Sequence, residues 1–166
     1  MMKKILPFIM LFMPIQQVSA EDDGSPMISV KRITMETAVI IAHNAVLACR
    51  KEGVQVSVTV VDRAGDTQVV FRDVLAPTIS LTISEQKARA ALSFNSPTSA
   101  LEGRFKNHGS VAKVDGLIFS AGGIPIQAAG LILGGIGVSG APSGELDEKC
   151  AKAGLDAILD ELEMAD

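Results

Sequence analysis

Between Val54 and Arg72 the chain is written as a hairpin, and this restricts its fold more than any other feature. Val54, Val56, Val58 and Val60 alternate with Gln55, Ser57 and Thr59, the period of a strand with one buried face. Asp62 to Asp66, with Gly65 inside, reads as a reversal, and Thr67 to Arg72 as the returning strand. The pattern recurs downstream, where Leu117 to Ala121, Ile124 to Gln127 and Leu131 to Ser139 are separated by Gly122 with Gly123 and by Gly130. Strands joined this tightly pair antiparallel, because a parallel pair needs a crossover of a dozen or more residues. The expectation is a five-stranded antiparallel sheet.

Helical segments fill the gaps. Thr34 is placed to cap a helix running to Lys51, with Glu36 near its positive end and Gly53 as its stop. Ile41, Ala42, Ala45, Ala48 and Cys49 form its core side, while Glu36, His43 and Arg50 fall opposite. Ile40 and Leu47 flank His43 on that polar side, which points to a subunit contact. A second helix follows Pro77 and reaches Phe94, with Leu81, Ala88, Ala91 and Leu92 inward and Glu85, Lys87 and Arg89 more exposed. Asn95, Ser96 and Pro97 break it, and a short helix restarts near Ser99, whose spacing to Glu102 fits a capping box. Lys106 to Lys113 is the least regular stretch. A last helix runs from Gly144 to Leu162, with Leu146, Cys150, Ala153 and Ala157 as its apolar stripe. Hairpins, few crossovers and helices laid on one sheet define an α+β fold.

The N-terminus is a separate matter. Lys3 and Lys4, an apolar run from Ile5 to Val18, and Val18 with Ala20 before Glu21 make a signal peptide, cleaved after Ala20. Residues 1–20 are therefore the signal, 21–33 a polar leader and 34–166 the domain. Its removal takes two lysines and moves the net charge from −4 to −6. An acidic chain without a basic stripe, lacking Trp and Tyr, is no nucleic-acid binder, and after cleavage no membrane span is expected. The expected location is periplasmic or secreted. Cys49 and Cys150 then lie where disulfides are permitted. A bridge between them and a pair of small buried thiols are both open readings.

Motifs with chemical content are few. Gly135, Gly137 and Gly140 spell GxGxxG, but too little chain follows for the βαβ unit that gives this motif its phosphate-binding meaning. The glycines instead bend the final strand, or let a ligand or neighbouring backbone approach closely. Asp62 and Asp66 flank a turn and suit local backbone hydrogen bonds better than paired-acid chemistry. His43 and His108 lack zinc-ligand spacing; His43 reads as a surface helix residue, and His108, beside Phe105 and Lys106, as a loop residue within reach of a pocket. No nucleophile elbow or phosphate loop is present.

VSVTVVDRAGD (56–66), EQKARAALSFNSPTSAL (85–101), GGIPI (122–126) and GGIGVSGAPSGELDEKCAKAGLDAI (134–158) resemble the GlcG/HbpS-like haem-binding family. The resemblance implies a profilin-like sheet, a homo-oligomer, and binding of haem or a related tetrapyrrole by an exported protein that stores, scavenges or senses it. It does not imply catalysis, although some relatives are described as haem-degrading. Thr98 matches the family segment near the suggested haem site, where its other role is capping or turn stabilisation. A hydroxyl is a weak iron ligand, which makes a histidine such as His108 chemically more attractive. Phe94 and Phe105 would contact the macrocycle, and Lys87 or Arg104 would pair its propionates. The rival readings are a non-haem small-ligand or accessory module and a haem-degrading enzyme.

Overall fold

A computed structural model describes residues 26–105 and 111–165. The proposed signal peptide, residues 21–25 of the leader and His108 lie outside the described residues. The residues from Lys31 onward form one compact unit.

In chain order the domain contains α1 (Met35–Lys51), β1 (Ser57–Asp62), β2 (Thr67–Arg72), α2 (Ile79–Phe94), α3 (Thr98–Phe105), β3 (Gly123–Ala128), β4 (Leu131–Ser139), α4 (Gly144–Asp156) and α5 (Leu159–Glu163). A short 3-10 turn, Val111–Lys113, lies between α3 and β3. The strands form one antiparallel sheet in the order β2-β1-β4-β3. Helices α1 and α4 pack together across one face, and α2 lies across β1, β4 and β3 on the other. The α+β antiparallel architecture is as expected, but the sheet has four strands rather than five. Leu117 to Ala121 is not a strand. Phe119 from this run packs against Phe94 and Phe105, and the Thr98 side chain, not another strand, meets the backbone of Gly123 on β3.

The start of α1 follows directly from its sequence. Thr34, in extended conformation, accepts the Thr37 N–H on its hydroxyl, and Gly53 follows the helix at φ 76°. Val54, expected in β1, still donates to the Cys49 carbonyl at 3.1 Å, so the ladder begins later, at Ser57.

Strand β1 is buried along its whole length. Val56, Val58 and Val60 enter the main core beneath α1. Ser57 and Thr59, which read as a solvent face, instead pair their hydroxyls at 2.8 Å with Ser80 and Ser84 of α2. The helix can come this close because β4 opposes it with glycine. A Cβ at Gly137 would overlap the Ser84 carbonyl, and one at Gly135 would lie 2.5 Å from the Ala88 carbonyl oxygen. The glycine run therefore serves close backbone approach, one of the two roles expected of it.

Helix α4 ends at Asp156, and α5 continues separately. Its buried stripe is Asp147, Cys150, Ala151, Gly154 and Leu155, rotated from the expected one; Ala157 is exposed. Gly154 lets α1 approach, since a Cβ there would lie 2.5 Å from the Ile41 carbonyl oxygen. Cys49 and Cys150 are joined as a disulfide with a Cα–Cα distance of 5.5 Å, tying α1 to α4. Closing a loop of this length stabilises the fold by about 4–5 kcal/mol in the chain-entropy picture.

Candidate functional site

Three groups of residues meet where α2, α3, β3 and α4 converge. The first is a buried ion pair. Lys87, expected to be exposed, is 3% exposed because it lies on the sheet-facing stripe of α2. Its ammonium donates to Asp147 Oδ2 at 2.9 Å and to the Val138 carbonyl at 3.1 Å. Asp147 Oδ1 accepts the Ala141 N–H at 3.0 Å. Burial pushes the Asp147 carboxyl above its ordinary range, outweighing the opposing pull of Lys87. This geometry joins α2, β4 and α4 and commits the Lys87 ammonium internally.

The second group holds the start of α3. Thr98 is fully buried; its hydroxyl accepts the Gly123 N–H at 2.8 Å and faces the Gly123 carbonyl at 3.4 Å. In this way one side chain supplies the hydrogen bonds that another strand would offer the edge of β3. Ser99 is not the cap of a box with Glu102, because α3 has already begun at Thr98. Its N–H and hydroxyl instead donate to Glu148, at 3.2 and 2.6 Å, and Glu148 also accepts the Gly122 N–H at 3.3 Å. Sequence reasoning missed Glu148, which carries no local signal because its partners are 26 and 49 residues away.

The third group is aromatic. Phe94 ends α2, Phe105 ends α3, and both meet Phe119, with ring centroids 5.0, 5.4 and 4.8 Å apart in tilted and edge-on arrangements. All three are half-buried. Phe94 and Phe105, named from the sequence as contacts for a macrocycle, touch one another here; Phe119 was concealed in the run read as a strand. Arg104 is exposed on α3 and makes no ion pair among the described residues. His43 lies on α1, across the sheet, edge-on to Phe71 at 6.3 Å.

Beside these groups runs an open groove of about 980 Å³ between the turn after α2, the outer edge of β3, and α4 with α5. Its floor includes Ile124, Pro125, Leu155 and Leu159, and its rim carries Glu145, Glu148, Asp156 and Glu163 against Lys149 and Lys152. Both lysines are already paired, with Glu52 and Asp156. Among the described residues no group of three or more His, Cys, Asp and Glu could hold a metal ion, and no helix is long and apolar enough to cross a membrane.

Asp62 behaves as a turn residue. Its Oδ1 accepts from Ala64 and Asp66 at 2.8 and 3.1 Å, and Oδ2 pairs with Arg32.

A four-stranded antiparallel sheet with helices on both faces and a glycine-lined helix contact defines the class. The family described as "Haem degrading protein HbpS-like" matches residues 33–156, and the chain belongs to this HbpS-like family. A crystal structure of HbpS is similar at 42% identity, covering 80% of this chain and 94% of that one, with a TM-score of 0.77. A double mutant of Streptomyces reticuli HbpS is similar at 38% identity over 89% and 98% of the two chains, TM-score 0.77. A PduOC:haem complex shares the fold, at 24% identity over 77% and 96%, TM-score 0.71. No curated protein matches the chain.

Proposed function

We propose that the protein binds haem at the Phe94–Phe105–Phe119 cluster, as an exported homo-oligomer that stores, scavenges or senses the cofactor. The observation that carries the proposal is the concentration of aromatic surface. Beyond the proposed signal the chain has four phenylalanines and no Trp or Tyr, and three of the four meet in one half-buried cluster. A flat apolar macrocycle fits such a surface. Arg104, on the same helix as Phe105, would pair a propionate. Lys87 would act one step removed, by holding α2 in place. The neighbouring groove suits haem less well, because its acidic rim would face the propionates and its lysines are neutralised.

Haem, when bound, would supply an iron centre requiring axial ligands. Thr98 spends its hydroxyl on Gly123, so in this reading it positions α3. His108, three residues beyond Phe105, is the proposed ligand on chemistry and chain proximity. The family, and the haem-bound protein of the same fold, support the ligand class. The disulfide supports export, since such bridges persist in oxidising compartments.

Titration with haem, followed in the Soret region, tests the proposal. Saturable binding is expected, weakened by Phe105→Ala and shifted in spectrum by His108→Ala, while Thr98→Val keeps the wild-type spectrum. The family's description also raises a degradative reading. Loss of the Soret band on adding a reductant, at a rate that depends on the protein, would favour it.

A further inference from the structure

The two helices that carry Phe94 and Phe105 are tied to adjacent residues of α4. Asp147 takes the Lys87 ammonium of α2, which ends at Phe94, and Glu148 takes the N–H and hydroxyl of Ser99 on α3, which ends at Phe105. Glu148 also accepts from Gly122, three residues beyond Phe119. Gly122 can present that N–H only without a side chain, because at its φ of 128° a Cβ would lie 2.7 Å from the Val138 carbonyl oxygen and 2.8 Å from Asp147 Cβ. Glu148 forms no ion pair among the described residues, so its carboxylate is met by these three donors. Hydrogen bonds to a charged acceptor are roughly twice as strong as neutral ones.

Helix α3 has little else to set its direction. It spans eight residues, too few to hold a helix unaided. Thr98 and Leu101 are its buried residues, and Glu102, Gly103 and Arg104 are exposed. Thr98 pins the first residue to Gly123 of β3, which fixes a point and leaves the axis free to swing. Glu148 supplies a second point from a different element, and satisfies one of the N–H groups that the first turn of a helix leaves open. Phe105 lies about 9 Å along the axis from Ser99, so a swing of about 20° there moves its ring by ~3 Å. A gap of ~1 Å already forfeits much of a packing contact. We infer that Glu148 is a positioning residue of the aromatic site: by holding Ser99 it sets the direction of α3 and keeps Phe105 against Phe94 and Phe119, and haem affinity depends on that hold.

The haem part of this inference rests on the proposed function, and the α3 part does not. Two measurements separate them: hydrogen–deuterium exchange of the α3 amides in the haem-free protein, and haem affinity by Soret titration. Both are made on wild type, Glu148→Ala, Glu148→Gln, Ser99→Ala and the control Glu145→Ala, which removes a charge from the same groove rim but no bond to α3. In Glu148→Ala, exchange across α3 is expected to quicken and haem binding to weaken, each about tenfold. The amides of α1 and β1 are expected to be unchanged, which general destabilisation would not give. Glu148→Gln keeps a carbonyl oxygen for Ser99 and is expected to recover most of both effects. The sign is diagnostic, because mere removal of a negative charge strengthens the binding of an anionic haem, in Glu148→Ala and Glu145→Ala alike. Ser99→Ala, at an exposed position, tests the same contact from the other side if Glu148→Ala does not fold. Unchanged α3 exchange in the folded variants would overturn the positioning role. Faster exchange with unchanged haem affinity would overturn its link to the site. A wild type that binds no haem would overturn the haem reading and that link together, while the exchange result still decides the hold on α3.

Discussion

Ala129 is one of two non-glycine residues with a positive φ among the described residues, at 50°, followed by Gly130 at 74°. Together they make the two-residue turn between β3 and β4, where asparagine or glycine is favoured at the first position because an alanine Cβ is strained in the left-handed region. Ala129→Asn is expected to raise stability by about 0.5–1 kcal/mol in urea denaturation, since only strain is removed. Lys87 and Asp147 present the opposite case. Removing one partner strands a buried charge, and Lys87→Met is expected to destabilise by ~3–5 kcal/mol, while Lys87→Met with Asp147→Leu recovers much of the loss. A double-variant loss equal to the sum of the losses in Lys87→Met and Asp147→Leu measured singly would show that the pair contributes no coupling. Neither residue could be placed inside from its chemistry alone, because charged side chains are the rarest in cores. Only the helical spacing from Ser80 through Ser84 to Lys87 and Ala88 betrays the face.

Element boundaries followed the sequence where capping and turn chemistry set them. Thr34, Gly53 and Gly65 all act at the points their residue types suggest. Errors arose where a face is polar or glycine-rich yet internal. The stripe of α4 has ideal helical spacing, 147, 150, 151, 154 and 155, but Asp147 and Gly154 made it invisible to a search for apolar periodicity. The same held for the hydroxyl face of β1 under α2. At this scale a pH effect is also expected. Arg50 binds Asp73 through two hydrogen bonds of 2.7 and 2.8 Å, joining α1 to the end of β2. Those bonds hold the Asp73 carboxyl below its ordinary range, against the opposing effect of burial. A carboxyl depressed in the folded state stabilises above its unfolded pKa, about 3.9, and that contribution disappears as pH falls through the folded value. Asp73→Asn is therefore expected to be less stable than wild type at pH 7, with the gap closing toward pH 3 in thermal melts.

For the whole molecule, the architecture was legible because hairpins and helical stripes are local signals. The strand count was not, because nothing local distinguishes an apolar run that joins a ladder from one that packs on aromatic rings. The same limit applies to the site: Phe94 and Phe105 could be named, but Phe119 and Glu148 enter only through the tertiary fold. The disulfide acts at this scale too. Since it links α1 to α4 over 101 residues, reduction is expected to lower stability by about 2–5 kcal/mol, readable as a shifted urea midpoint with and without reductant. The central claim is that a three-phenylalanine surface holds haem, and the most direct measurement is the Soret titration of wild type beside Phe105→Ala. The account predicts saturable binding for wild type and at least tenfold weaker binding for the folded variant. No saturable binding, or equal binding by both, would contradict it.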